Sequence, residues 1–457
     1  MPDRPNILIA AMGHGGIAPL IAKLDCGLRT RGFESLVWAM GGGDCGLEQL
    51  RAEGLAAYAP LRDRQILHFL DTLPEVGFPP DHPRMEFYRA FERGASRETR
   101  IGEEGLALIA RWGMYIRGRA EELIDRLSPA ALLVQSGVRL VEGTLAELAS
   151  ERGIPLLFFD KGAFAETILV DDRGAGPLSL YGDAMRWAAK APGPLDEEGE
   201  TLLEQFRRRF QAERRSAWEQ PGCQKIALRK RLGLAPDRRI LFLPGQVRHD
   251  ANTVLYSPRF GSNEDFLRFM LDACEGSDLF ILAKPHPKGE KKPPRLAKRL
   301  EGRGTWMPEL NVHDALEEAD VVACLNSTVG LEALLYGRPV IAGAHAIWAG
   351  KGASFDLLDD LPPESLRAFL DEIPSPDPVR LNPFLHHLLT RGSYGEPPGP
   401  WPGMDALAER LCASALDREG DAESGRAWMA AIEAASLCRE MERPAHDEWR
   451  GLLPLFE

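Results

Sequence analysis

The chain has 457 residues, 44% of them hydrophobic and 27% charged, with a formal net charge of -13. That length exceeds what one ordinary core holds, so two domains are expected, and the acidic balance argues against general nucleic-acid binding, which needs a basic surface. The seven cysteines are odd in number and lack CxxC spacing, which predicts neither a disulfide framework nor a zinc site.

Asn6 to Ala11 (NILIAA) reads as a buried parallel strand, Met12 to Gly16 as a glycine turn, Ile17 to Arg31 as a helix and Glu34 to Ala39 as a second strand. The Gly-His-Gly-Gly turn is not the GxGxxG dinucleotide fingerprint. It is either a tight-turn requirement or a substrate-facing loop, with His14 and Gly15 as its candidate residues. The N-terminus enters this strand without a secretory apolar core, and no apolar stretch approaches the ~20 residues of a membrane span. A soluble protein of a reducing compartment, the cytoplasm, is expected. Residues 58 to 128 read as mainly helical. Ala131 to Gln135 is the next strand, followed by a helix to about Ser150, and Ile154 to Phe159 is another strand, ending in Asp160-Lys161-Gly162. The first half is thus a doubly wound unit in its own right.

From Leu195 to Leu234 the pattern turns into a charged helical segment with Arg207, Arg208, Arg209, Arg214 and Arg215 close together. Contact with anionic lipid headgroups or an anionic acceptor is one reading; a solvated connecting helix, given the interleaved acids, is the other. Strands at 239–243, 279–283, near Trp306, at 320–324 and at 339–342 then alternate with helices at 263–275, 293–300, 312–318 and 328–336. Such alternation predicts a parallel sheet covered on both faces. Residues 404–440 read as two amphipathic helices. The expected architecture is α/β, two Rossmann-like doubly wound domains facing a cleft, with C-terminal helices. The expected boundaries are 1–194, a charged linker 195–236, a nucleotide-sugar domain 237–390, and a segment 391–457 packing back on the first domain.

Three strand ends carry the chemistry, and in an open parallel sheet the carboxyl ends are where ligands bind. Ser327 and Thr328 open a helix, whose free N–H groups and positive dipole end suit a phosphate; ordinary N-capping is the alternative. Lys284 and His286, in Lys-Pro-His-Pro, supply a point charge and a directed donor in a loop stiffened by Pro285 and Pro287. Glu309 sits where a carboxylate could take two ribose hydroxyls, or is a surface residue in a turn. Asp250, closing Pro-Gly-Gln-Val-Arg-His-Asp, is either a nucleophile or base facing a sugar carbon or a turn and cap residue. No Asp-X-Asp pair stands at a strand end to hold a divalent cation, which fits a one-phosphate leaving group neutralised by Lys and His, without metal or other cofactor.

Together, Pro-Gly-Gln-Val-x-x-Asp, Lys-Pro-His-Pro and Ser-Thr-Val-Gly-Leu-Glu-Ala-Leu-Leu-x-Gly-x-Pro-Val resemble the capsular polysaccharide biosynthesis family over about residues 239 to 352. That family includes retaining β-Kdo transferases, with the two-domain GT-B-like fold. In the first half the resemblance thins to Phe159-Asp160-Lys161-Gly162 with Thr167 and Asp171 to Gly174. The Lys-x-His-Pro and Ser-Thr motifs are also similar to those of bacterial sialyltransferases that use CMP-sugars.

The resemblance implies a CMP-β-Kdo type of donor, its phosphate held by Lys284, His286, Ser327 and Thr328 and its ribose by Glu309. Gln246 and Glu332 also fall on family positions of the donor side. Asp250 matches the family's catalytic aspartate, which would attack the anomeric carbon, and two displacements retain configuration. Asp160 stands where many relatives carry Glu and would be the general base or acid. The implied partners are the CMP-sugar and a glycan or lipid-linked acceptor, with peripheral contact to the inner membrane or to other capsule-assembly proteins. Two rival readings are a UDP-sugar-dependent transferase or epimerase and a non-catalytic nucleotide-sugar-binding component of an export complex.

Overall fold

The computed structural model describes residues 4–12, 16–39, 43–58, 74–86, 88–89, 101–222, 227–247, 250–288, 295–357 and 363–416. The chain divides into two compact units, one of Met1–Gly162, Glu166–Ser179 and Thr390–Glu457, the other of Ala163–Ala165 and Leu180–Leu389. The charged stretch 195–236, expected as a linker, lies inside the second unit.

The first unit opens with β1 (Asn6–Ala11), α1 (Ile17–Thr30), β2 (Glu34–Ala39), α2 (Gly43–Ala52) and β3 (Ala57–Tyr58). Ile17, Leu20, Ile21, Leu24 and Leu28 recur at helical spacing and are the buried face of α1. Next come α3 (Gly102–Leu127), β4 (Ala131–Gln135), α4 (Leu140–Glu151), β5 (Leu156–Lys161) and β6 (Thr167–Asp171). Within the stretch 58–128, expected to be mainly helical, residues 59–73, 87 and 90–100 lie outside the described residues. One expectation is corrected. β5 runs two residues further than apolar patterning implies, so Asp160 and Lys161 belong to the strand, paired across from Leu169 and Ile168. β6 is antiparallel to β5, because the intervening residues 162–166 are too few for the crossover a parallel pair needs.

The second unit contributes α5 (Ala184–Lys190), α6 (Glu197–Glu213), α7 (Leu228–Leu232), β7 (Ile240–Pro244), α8 (Ala251–Tyr256), α9 (Asn263–Ala273), β8 (Phe280–Lys284), β9 (Gly304–Trp306) and α10 (Val312–Glu318). It continues through β10 (Val321–Cys324), α11 (Thr328–Leu335), β11 (Val340–Ala342), β12 (Phe355–Asp356), α12 (Pro363–Glu372) and α13 (Pro378–His387). Among the described residues its six strands run in the order β12-β11-β10-β7-β8-β9, every pair parallel. Ile240 to Phe242, Ile281, Leu282 and Val321 to Cys324 are fully buried, as strands covered on both faces require. The basic stretch expected as a helix at 293–300 is a 3-10 turn over Arg295–Leu300, and residues 289–294 lie outside the described residues.

The chain then returns to the first unit with β13 (Ser393–Gly395), antiparallel to β6, and α14 (Met404–Leu416). The first sheet is therefore mixed, in the order β13-β6-β5-β4-β1-β2-β3. α14 packs on α1, burying Leu407 and Leu411 in the same core as Ile21 and Leu24. Asp405 takes both guanidinium nitrogens of Arg31, at 2.6 and 2.8 Å, and Gly27 leaves room for Ala408, which an added Cβ would meet at 2.9 Å. Residues 417–440, expected to continue these helices, lie outside the described residues.

Candidate functional site

In the second sheet β7 is central. The chain moves from it outward to β8 and β9, then back across to β10, β11 and β12. The strand order thus reverses between β7 and β10, and the crevice outside their carboxyl ends is where such sheets take ligands. Gln246 spans it. Its Nε2 donates to Asn326 Oδ1 at 2.7 Å, its Oε1 accepts the Asn326 backbone N–H at 3.0 Å, and its backbone exchanges two hydrogen bonds with the Asn263 amide. Asn326 Nδ2 in turn donates to Asn252 O at 2.9 Å. Gln246, expected as a donor contact, has its amide committed to bracing the crevice floor. Asn326 and Asn263, its partners, carry no sequence signal of their own.

The loop after β8 lies beside that crevice. Gly245 N–H donates to Lys284 O at 2.7 Å, and a Cβ on Gly245 would meet that oxygen at 3.2 Å. Lys284 is buried, and its ammonium donates to Pro285 O at 3.2 Å. His286 is half-buried, and its Nδ1 accepts the Lys288 backbone N–H at 3.1 Å. A ring that accepts at Nδ1 is neutral and carries its proton on Nε2, which makes Nε2 the donor nitrogen. On the other side of β7, Ser327 caps α11 by accepting the Val329 N–H at 3.3 Å. Buried Trp348, from the loop after β11, donates its indole N–H to Ser327 O at 3.0 Å and lies against Gly330, whose added Cβ would stand 2.3 Å from the indole.

Glu332 is withdrawn from solvent. It is buried, and its Oε2 accepts from Ser216 Oγ at 3.0 Å. Ser216 Oγ is also 3.1 Å from His313 Nε2, whose Nδ1 lies 3.0 Å from the Tyr336 hydroxyl. Burial pushes the Glu332 carboxyl up to about 8, against the lowering effects of Ser216 and the Lys284 charge. Burial, helped by the Arg214 charge, pulls His313 down to about 4. This chain fastens Ser216 to α10 through His313 and to α11 through Glu332.

Asp250 is the N-cap of α8, with Oδ1 accepting the Asn252 N–H at 2.8 Å. Glu309 is exposed, just past β9, where Met307 N–H still pairs with Ala283 O at 2.8 Å. Thr328 is half-buried at the start of α11. Asp160 belongs to the first unit, with Oδ1 accepting the Lys161 N–H at 2.7 Å. His14 and Gly15 lie outside the described residues. Of the clustered arginines, Arg207 donates to Asn382, Arg208 pairs with Glu204, Arg209 with Glu213, and Arg214 with Asp314 and Glu317. Among the described residues no helix is long and apolar enough to cross a membrane.

Comparison with known proteins gives the arrangement a family context. Residues 205–366 match the model of the family described as capsule polysaccharide biosynthesis protein. The capsule polysaccharide modification protein LipA of Neisseria meningitidis serogroup B is 24% identical over 254 residues, 53% of this chain and 35% of LipA. Protein FixF of Sinorhizobium fredii is 29% identical over 195 residues, 39% of this chain and 43% of FixF. The chain thus spans about a third of the length of the LipA relative it matches. Among solved structures, the KpsC beta Kdo 2,4 transferase of Thermosulfurimonas dismutans matches with a TM-score of 0.43 and 19% identity, covering 62% of this chain and 87% of that chain.

Proposed function

We propose that this protein is a glycosyltransferase of surface polysaccharide synthesis that moves Kdo or a related ulosonic acid from a CMP-activated donor to a glycan or glycolipid. One observation carries the reading. Lys284 is the last residue of β8, and Asp250 and Ser327 follow the carboxyl ends of β7 and β10, three adjacent parallel strands flanking the reversal point of the sheet. The match of residues 205–366 to the capsule biosynthesis family supports it.

In this reading the α11 N-terminus, Lys284 and His286 Nε2 take the donor phosphate, and Glu309 takes the ribose. Neither metal nor other cofactor has a role. Asp250 attacks the anomeric carbon with one carboxylate oxygen while the other holds the helix cap. The bond to the phosphate breaks and CMP departs with the electron pair. An acceptor hydroxyl, deprotonated by a general base, then displaces Asp250, and two inversions retain configuration.

The test is titration of CMP, UDP and GDP into wild type and His286→Ala, followed by intact mass of wild type and Asp250→Ala after CMP-Kdo. CMP-selective binding weakened by His286→Ala, with one added Kdo residue in wild type alone, is the expected result. A preference for UDP sinks the Kdo assignment. Nucleotide binding without turnover, indifferent to Asp250→Ala, points to a non-catalytic component.

A further inference from the structure

The segment after α6 makes a set of contacts that the strand-end motifs do not explain. Arg214, in a left-handed conformation at the end of α6, is 2.9 Å from Asp314 and 3.0 Å from Glu317. Two residues on, Ser216 is held by Glu332 and His313 at 3.0 and 3.1 Å. Further along, Pro221 O accepts from Asn311 Nδ2. The segment is therefore pinned on both sides of Trp218, and pinned to the two helices, α10 and α11, that flank β10.

Trp218 itself reaches the other side of the crevice, to the loop after β8. Its ring stands edge-to-face with His286, centroids 5.7 Å apart and planes at 78°. The Lys288 ammonium lies 4.3 Å from the Trp218 ring centroid. His286 and Lys288 are also the pair whose backbone-to-ring bond, Lys288 N–H to His286 Nδ1, sets the His286 tautomer. An edge-to-face pair and a cation over an indole each favour one geometry over the alternatives. Acting on both ends of one tight loop, they restrict the His286 ring to the rotamer in which Nδ1 accepts the Lys288 N–H.

We infer that Trp218 is a positioning residue of the donor-phosphate site, clamping the Pro285–Lys288 loop so that the His286 Nε2–H is directed at a phosphate oxygen. This rests on the proposed reading that His286 binds the donor phosphate. Trp218 acts through His286, and its contribution to binding exists only while the imidazole is there. Phe in its place keeps an aromatic edge and face; Ala keeps neither.

A double-mutant cycle on CMP affinity tests it, with Trp218→Ala, Trp218→Phe, His286→Ala and the Trp218→Ala/His286→Ala pair, each checked for an unchanged thermal transition. Trp218→Ala is expected to weaken CMP about tenfold, from the loss of one aromatic pair and one cation–π contact. Trp218→Phe is expected to recover most of that loss. In the His286→Ala background the tryptophan substitution is expected to add less than about twofold, the signature of one residue acting through another. Additive losses overturn the clamp while leaving His286 as a phosphate ligand. A His286→Ala variant that binds CMP like wild type overturns the phosphate reading and the clamp with it. A Trp218→Ala variant that unfolds is replaced by Lys288→Ala, which removes the cation over the indole, in the same cycle, and additivity there counts equally against the proposal.

Discussion

The side chain of Gln246 and the amide group of Asn326 form a reciprocal bridge, 2.7 Å from Nε2 to Oδ1 and 3.0 Å from the Asn326 N–H to Oε1, across the point where the strand order of the second sheet reverses. A ligand contact and a brace predict different consequences for the same substitution. Gln246→Ala leaves the Asn326 N–H and Oδ1 without their partner, a loss of about 1–3 kcal/mol. The urea midpoint is expected to fall together with nucleotide affinity. A fall in affinity with the midpoint intact would return Gln246 to the role of a direct donor contact.

Gly330 and Trp348 give a second test, by packing alone. A methyl group at 330 would stand 2.3 Å from the indole of a fully buried Trp348. Gly330→Ala gains up to about 1 kcal/mol of helix propensity but overpacks the site by about 1–3 kcal/mol. Because Trp348 also holds Ser327 O, the displaced ring shifts the start of α11. Lower stability in urea and weaker phosphate competition against CMP are expected together. A Gly330→Ala variant as stable as wild type would mean that the indole yields without disturbing the cap.

Strands β1, β2, β4 and β7 to β11 were legible because a buried parallel strand is a local signal, a short apolar run between turn residues, whereas the short edge strands β3, β12 and β13 carry no such run. Residues 240–244, 280–284 and 321–324 announce themselves in this way. The β5–β6 hairpin was less so, since Asp160 and Lys161 are polar and become strand only through pairing with Leu169 and Ile168. The chemistry at strand ends was legible as residue types: Lys284, His286, Ser327 and Asp250 all follow apolar runs. What holds them was not. Trp218 lies 68 positions before His286 in the sequence and Asn326 lies 80 beyond Gln246, and no periodicity links residues that only the fold brings together. Glu332 could be placed on α11 by spacing, but its inward orientation depends on Ser216, which arrives from outside the sheet.

His313 makes a prediction for the acid side. Its imidazole is held at about 4, mainly by burial and further by the Arg214 charge, against an ordinary value of 6.5. As pH falls from 6.5 toward 4 the unfolded chain takes up a proton that the native chain refuses, so native stability is lost across that window. His313→Gln keeps a polar group near Ser216 and Tyr336 without titrating there. Urea midpoints of wild type are expected to fall more steeply than those of His313→Gln between pH 6.5 and 4.5. Parallel curves would show that the native ring protonates where it stands.

Glu332 makes the opposite prediction, and the contrast separates the two ends of one buried chain. Its carboxyl is raised by burial to about 8 from an ordinary value of 4.5, with Ser216 and Lys284 pulling the other way. Below pH 4.5 both states hold the proton and the group costs nothing. From 4.5 to 8 the unfolded chain releases it while the native chain keeps it, so stability falls as pH rises and levels off above 8. Glu332→Gln keeps an acceptor for Ser216 and has no proton to lose. Relative to wild type it is expected to gain on the order of a few kcal/mol between pH 5 and pH 8, since each pH unit in that window shifts the balance by about 1.4 kcal/mol. Urea titrations of both proteins at pH 5, 6.5 and 8 measure that gain directly. If the difference between them stays constant, Glu332 is ionised in the native state, and its charge is balanced by Lys284 instead of being suppressed by burial.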